Sequence, residues 1–176
     1  MKFTVSVLLC AALVAGGTGC KREKKTRVEA TDEAGPTLAA VVNMADARAS
    51  VQLLKGFHDV EGNAWRWTMG KFSVTLRPPL NASQKGATLV VKMSIPEAII
   101  GKVKSTTLTA NVNGAAIAGE TYTKAGEYTY SRDVPASALG ADAVTVDFAL
   151  DKFLPPGLAD QRELGVVVSS IGFEAK

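Results

Sequence analysis

From residue 51 onward, apolar and polar positions alternate with a period of two, in short runs closed by turn-forming residues. That periodicity predicts strands rather than helices. Val51–Phe57 opens the series. Trp65–Leu76 follows, with Phe72, Val74 and Leu76 alternating into Arg77-Pro78-Pro79, a stop for any strand. Ala87–Ile95 is apolar enough for a central strand and is bounded by Pro96. Thr106–Asn113 alternates Leu108, Ala110 and Val112 with polar residues, and Asn113-Gly114 is a strong hairpin signal that makes Ala115–Thr123 the return strand. Gly126–Val134 puts Tyr128 and Tyr130 on one face, and Pro135–Leu139 is a turn. Ala143–Leu150 and Leu164–Phe173 complete the set. Many short strands with turn signals between them and almost no helix predict an all-β, antiparallel β-sandwich of the jelly-roll kind, spanning residues 51–176.

The first fifty residues follow another pattern. Met1-Lys2 is followed by an apolar run to Ala15, small residues 16–19, and Cys20. A charged start, an apolar middle and a small-residue end make an export signal over residues 1–19. The apolar run is shorter than the roughly 20 residues that a membrane span requires. A cysteine directly after Gly19 resembles the cleavage site of a bacterial lipoprotein, which implies diacylglycerol on Cys20 and usually an amide-linked palmitate-type chain. Gly17 stands where that pattern has leucine. The alternative is ordinary signal cleavage near Ala15–Gly17, leaving a soluble secreted protein with Cys20 as a free thiol. Two or more acyl chains hold a protein stably, whereas one is marginal. Lys21 to Pro36 is charged and poor in large apolar residues, so it reads as a solvated tether. Thr37–Ser50 is alanine-rich and could wind as a short helix with Leu38, Val41, Val42 and Ala45 on one side. Residues 20–50 are thus expected to be a flexible tether with a short helix. Position 21 is lysine rather than aspartate, which favours the periplasmic face of an outer membrane over the inner membrane.

Charge and cysteine content narrow the function. The chain has 176 residues and a net charge of +3 from 20 Lys and Arg against 17 Asp and Glu. The basic residues after position 27 are scattered, with no stripe of interleaved aromatics, so nucleic acid is not an expected partner. Only two cysteines occur, Cys10 in the signal and Cys20 at its end, so the domain has no internal disulfide and holds by packing.

Few residues carry candidate chemistry. His58 is the only histidine and stands beside Asp59, but neighbours on a strand point to opposite faces and cannot pair there. No Gly-x-Ser-x-Gly elbow is present. Asp59 and Glu61 share a face about 6.6–6.8 Å apart along a strand, a separation found between glycosidase carboxylates. Asp59, Glu61 and Asn63 also offer oxygen ligands at alternate positions, though Gly62 and Gly70 stand where a calcium loop of the EF-hand kind needs other residues. No zinc, redox-metal or phosphate-loop pattern is present, and no catalytic residue, metal or cofactor is assigned. Trp65-Arg66-Trp67 is the most suggestive triplet. On a strand both indoles face one way and Arg66 the other, and two indoles on a solvent-facing side can stack on sugar rings. Trp65, Trp67, Glu61 and Arg66 are therefore the candidate ligand contacts, with core packing as the alternative for the tryptophans. Near the end of the chain, Arg162 has Asp160 and Glu163 within reach and is expected to staple its loop as an ion pair with them.

Gly56-Phe57, Glu61, Arg66-Trp67, Val112-Asn113-Gly114, Asp160, Arg162 and Leu164-Gly165 together resemble a jelly-roll domain appended to bacterial glycosyltransferases and other envelope polysaccharide proteins, over about residues 54–173. The resemblance implies a galactose-binding-like or carbohydrate-binding-like sandwich without catalytic residues of its own, and Glu61, Arg66, Trp67, Asp160 and Arg162 match its pattern. No transferase domain accompanies it here. Two functions stay open: a non-enzymatic, lipid-anchored envelope protein that binds glycan or polysaccharide, and a scaffold lipoprotein that docks a protein partner. A hydrolase using Asp59 and Glu61 is a third. The expected partners are the membrane, through the lipid, and a glycan or an envelope protein.

Overall fold

A computed structural model describes residues 37–158 and 160–176. The expected signal, Cys20 and the first part of the tether lie outside the described residues. Among the described residues nine strands form: β1 (Val41–Asn43), β2 (Leu53–Glu61), β3 (Trp65–Leu76), β4 (Ala87–Ile95), β5 (Thr106–Val112), β6 (Ala115–Tyr122), β7 (Gly126–Val134), β8 (Val144–Leu150) and β9 (Val167–Ala175). Two short helices, α1 (Ala82–Lys85) and α2 (Glu97–Val103), sit in the connections. Among the described residues no helix is long and apolar enough to cross a membrane.

The pairings sort the strands into two layers. One runs β1-β9-β4-β7, the other β2-β3-β8-β5-β6, and every pairing is antiparallel. Strands distant in sequence become neighbours in both layers, which is the interlocked double Greek key of a jelly roll. β2 is an addition on the outer edge of β3.

Period-two burial shows which face each layer turns inward. On β4, Ala87, Leu89, Val91, Met93 and Ile95 are buried, on β5 Leu108, Ala110 and Val112, and on β8 Val144, Val146, Phe148 and Leu150. The inward faces of both layers make one continuous core. Burying each large side chain contributes about 1.5–3 kcal/mol. β6 and β7 close the far edge through side chains: Tyr130 Oη donates to the Ala118 carbonyl at 2.8 Å, and Arg132 pairs with Glu120 at 2.7 Å. Between them the Tyr122 ring lies 4.6 Å from that of Tyr128. The Tyr122 hydroxyl is buried with no hydrogen-bond partner among the described residues, and desolvation is the first cause that raises its pKa. The hairpin at Asn113-Gly114 forms as expected, with positive φ at both residues (46° and 90°), the geometry that favours Asn-Gly.

The helix expected over Thr37–Ser50 is not there. Instead β1 pairs Val41, Val42 and Asn43 with Gly172, Ile171 and Ser170, followed by a 3-10 segment over Ala47–Gln52 capped by Asp46. Period-two burial decides the matter, because Val42 and Met44 both enter the core, which a helix could not arrange. Gln52, itself buried, acts as a false strand rung: its amide accepts from Ala39 N at 3.0 Å and donates to Ala39 O at 3.1 Å and Thr75 O at 2.7 Å. Ordered structure thus begins ahead of residue 51.

Candidate binding groove

β3 is long enough to belong to both layers. Its second half, Lys71–Leu76, pairs with β8, while Arg66 and Trp67 pair with Val168 and Val167 of β9. The strand therefore leaves one sheet and enters the other near Gly70. No side chain fits at that crossing, because the Phe153 ring occupies the space a Cβ would take. The Gly70 N–H, freed from the ladder, donates to Glu163 Oε1 at 2.7 Å.

The crossing divides the labour of β3. Phe72, Val74 and Leu76 enter the core, and Trp65 and Trp67 stand together on the outer side of the β9–β4–β7 layer. There they line a groove of about 330 Å³ with Ser94, Pro96, Glu127, Val167 and Ser169. That volume is at the small end of ligand pockets, which run about 300–1,000 Å³. Register explains the convergence: Trp67 is opposite Val167, Val167 opposite Ser94, and Ser94 opposite Glu127, so one cross-strand row spans four strands. A bulge in β9 leaves Ser169 unpaired between the partners of Lys92 and Met93 and brings it to the same groove, its hydroxyl donating to the Lys92 carbonyl at 3.2 Å. Both indoles are half-buried, and Trp67 also packs against the core margin. The two tryptophans give the groove an aromatic surface beside polar residues, a combination that suits a sugar ring.

Glu61 and Arg66 do not line the groove. Arg66 is turned to the other side of β3, as alternation requires, and donates to the carbonyls of His58 at 3.0 Å and Met44 at 3.3 Å. Glu61, directly opposite Trp65 across the Gly62-Asn63 turn, accepts from Arg162 at 2.6 Å. The ion pair expected among Asp160, Arg162 and Glu163 forms in part. Arg162 holds Asp160 at 2.9 Å, but its second carboxylate is Glu61, 101 residues away in sequence, while Glu163 serves Gly70. His58 lies within 2.7 Å of the Glu163 carbonyl through Nε2. Asp59 is exposed and Glu61 is committed to Arg162, so the pair does not face a shared cleft. Among the described residues, no three His, Cys, Asp or Glu side chains gather as a metal set.

The Arg162 hydrogen bonds, first from its guanidinium and then from its backbone N–H, hold the Asp160 carboxyl down to about 2 from an ordinary 3.8. A depressed carboxyl contributes stability that is complete above its unfolded value and lost as pH falls through the folded one. Stepped-pH denaturation should therefore show a loss between about pH 4 and 2 that Asp160→Asn removes. An identical acid limb in the variant would contradict that assignment. Both side chains are more than a third open to solvent, which screens the pair, so this loss is a minor part of acid unfolding.

Ser94, Pro96, Glu127, Val167 and Ser169 were not legible as site residues from the sequence. Alternation along each strand marks Ser94, Glu127 and Ser169 as outward, but only strand order brings them beside the tryptophans.

No protein-family model matches the chain, and no curated protein matches it. Among solved structures, similar chains include the CBM36-1 domain of a multidomain xylanase from the hindgut metagenome of Trinervitermes trinervoides, with 10% identity, coverage of 75% of this chain and 94% of that one, and a TM-score of 0.38. A family 35 carbohydrate-binding module from an environmental isolate has 12% identity, covers 82% and 90%, and has a TM-score of 0.35. The CBM51-2 and INT domains of Clostridium perfringens ZmpB, in complex with GlcNAc, have 11% identity, 77% and 28% coverage, and a TM-score of 0.36. At such distances nothing about this chain's own ligand follows from them.

Proposed function

We propose that this protein is a non-catalytic, lipid-anchored module that holds a glycan or polysaccharide at the cell envelope through the Trp65–Trp67 groove. The observation that carries the proposal is that both indoles line a single concavity on the solvent side of one sheet, together with Ser94 and Ser169. Glu61, Asp160 and Arg162 support it from behind as a staple that fixes the hairpin from which Trp65 springs. Arg66 acts likewise, by tying β3 to the carbonyls of His58 and Met44. Binding to a panel of neutral oligosaccharides, followed by tryptophan fluorescence, tests the groove. Saturable spectral change with at least one class of oligosaccharide is expected, and two unresponsive, already blue-shifted indoles would count against it.

The address rests on the lipoprotein-like signal. Acylation of Cys20 would place the module on the periplasmic face of an outer membrane, with the residues after it as the leash. Mass spectrometry of the mature protein should find an acylated amino-terminal Cys20. An unmodified thiol, or a processed chain starting elsewhere, would contradict the anchor while leaving the groove untouched.

A further inference from the structure

The groove has a one-signed charge. Among the described residues, Glu127 is the only ionisable side chain that lines it, and no lysine or arginine does. Among the described residues Glu127 has no ion-pair partner. The nearest basic position by register is Lys92, which faces the same side but lies opposite Thr129, diagonal to Glu127, and is absent from the lining. Glu127 ends the cross-strand row that Trp67 begins. Three inter-strand gaps separate them, about 14 Å at 4.7–4.9 Å per gap. A ring stacked on the indoles therefore leaves its continuation, or a substituent, directed along the row toward a free carboxylate. An indole face also attracts a cation, so both ends of the groove favour positive charge.

We propose that the groove selects glycans bearing a free, cationic amino group, with the indoles under a sugar ring and the Glu127 carboxylate against an ammonium. This rests on the saccharide reading of the groove and adds the charge of the ligand. Anionic, uronate-type chains are disfavoured by the same carboxylate. Glu127 is exposed, so the selectivity is that of a solvent-screened pair, about three- to five-fold.

The test uses matched oligosaccharides of glucosamine and of galactosamine, with free amines or fully N-acetylated, titrated against the whole domain. In at least one pair the free-amine form should bind about three- to five-fold tighter than its acetylated partner, and a uronate oligomer of equal length should bind weakest. The preference should shrink in high salt. Glu127→Gln should erase it, bringing the free-amine and acetylated forms to within two-fold of each other. Equal affinities in the unaltered protein, or a preference that survives E127Q, would overturn the charge assignment and leave saccharide binding standing. A linear polyamine of equal charge binding as tightly would overturn it too, because no ring would then be needed. Failure of every oligosaccharide, acetylated or not, would overturn both this inference and the reading beneath it.

Discussion

Phe72→Ala is expected to destabilise the domain by about 3–5 kcal/mol. Phe72 is fully buried, stacked on Phe148 at 4.8 Å with ring planes 13° apart, and met edge-on by Phe57 at 5.4 Å. Truncation removes the transfer energy of the ring and leaves a cavity between β2, β3 and β8, which cannot all collapse inward together. Aromatic pairing adds about 0.5–1.5 kcal/mol per partner beyond the buried area. The thermal midpoint should fall by roughly 10–20 °C. Whatever fraction remains folded should keep its groove, because Phe72 points to the opposite side of the crossing from the indoles. A loss below 1 kcal/mol would mean that β3 is not the strand on which the two layers are built.

Trp65→Ala, seven residues earlier on the same strand, should have the reverse profile. Trp65 is half-buried at the hairpin end, beside Gly62. Its loss should change stability by no more than about 1 kcal/mol, in the range of surface substitutions with some packing. Saccharide affinity should fall at least ten-fold, because removing an apolar face that a ring covers costs about 1.5–3 kcal/mol and about 1.4 kcal/mol is ten-fold. Trp65→Phe should recover part of the affinity by restoring a ring face. Calorimetric unfolding and titration of the same preparations separate the two effects. Weakened stability with unchanged affinity would make Trp65 a packing residue.

That division along β3 shows what the sequence could and could not convey. Bounds for β3, β4 and β7 were readable because apolar or alternating runs ended at prolines: Pro78, Pro96 and Pro135. β1 was missed because an alanine-rich stretch satisfies helical and extended spacing equally, and only its burial against β9 decides. α2 was missed because Ile99 and Ile100 are adjacent apolar residues without enough length to display a period. The tryptophans were legible as a pair on one face. Their neighbours were not, since Ser94, Glu127 and Ser169 become a site through the strand order of a jelly roll. The Arg162 staple was half legible for the same reason. Asp160 is two residues from Arg162, whereas Glu61 is brought to it by the fold.

The protein has two tryptophans, so its amide spectrum carries two indole N–H signals, both from residues that line the groove. Following both during titration with the oligosaccharide panel tests the proposed site most directly. With a bound glycan, both indole signals should move together and saturate at one ligand concentration, accompanied by the amides of Val167 and Ser169. Binding that leaves both indoles in place while shifting another face, or no shift with any saccharide, would contradict the groove as the binding site.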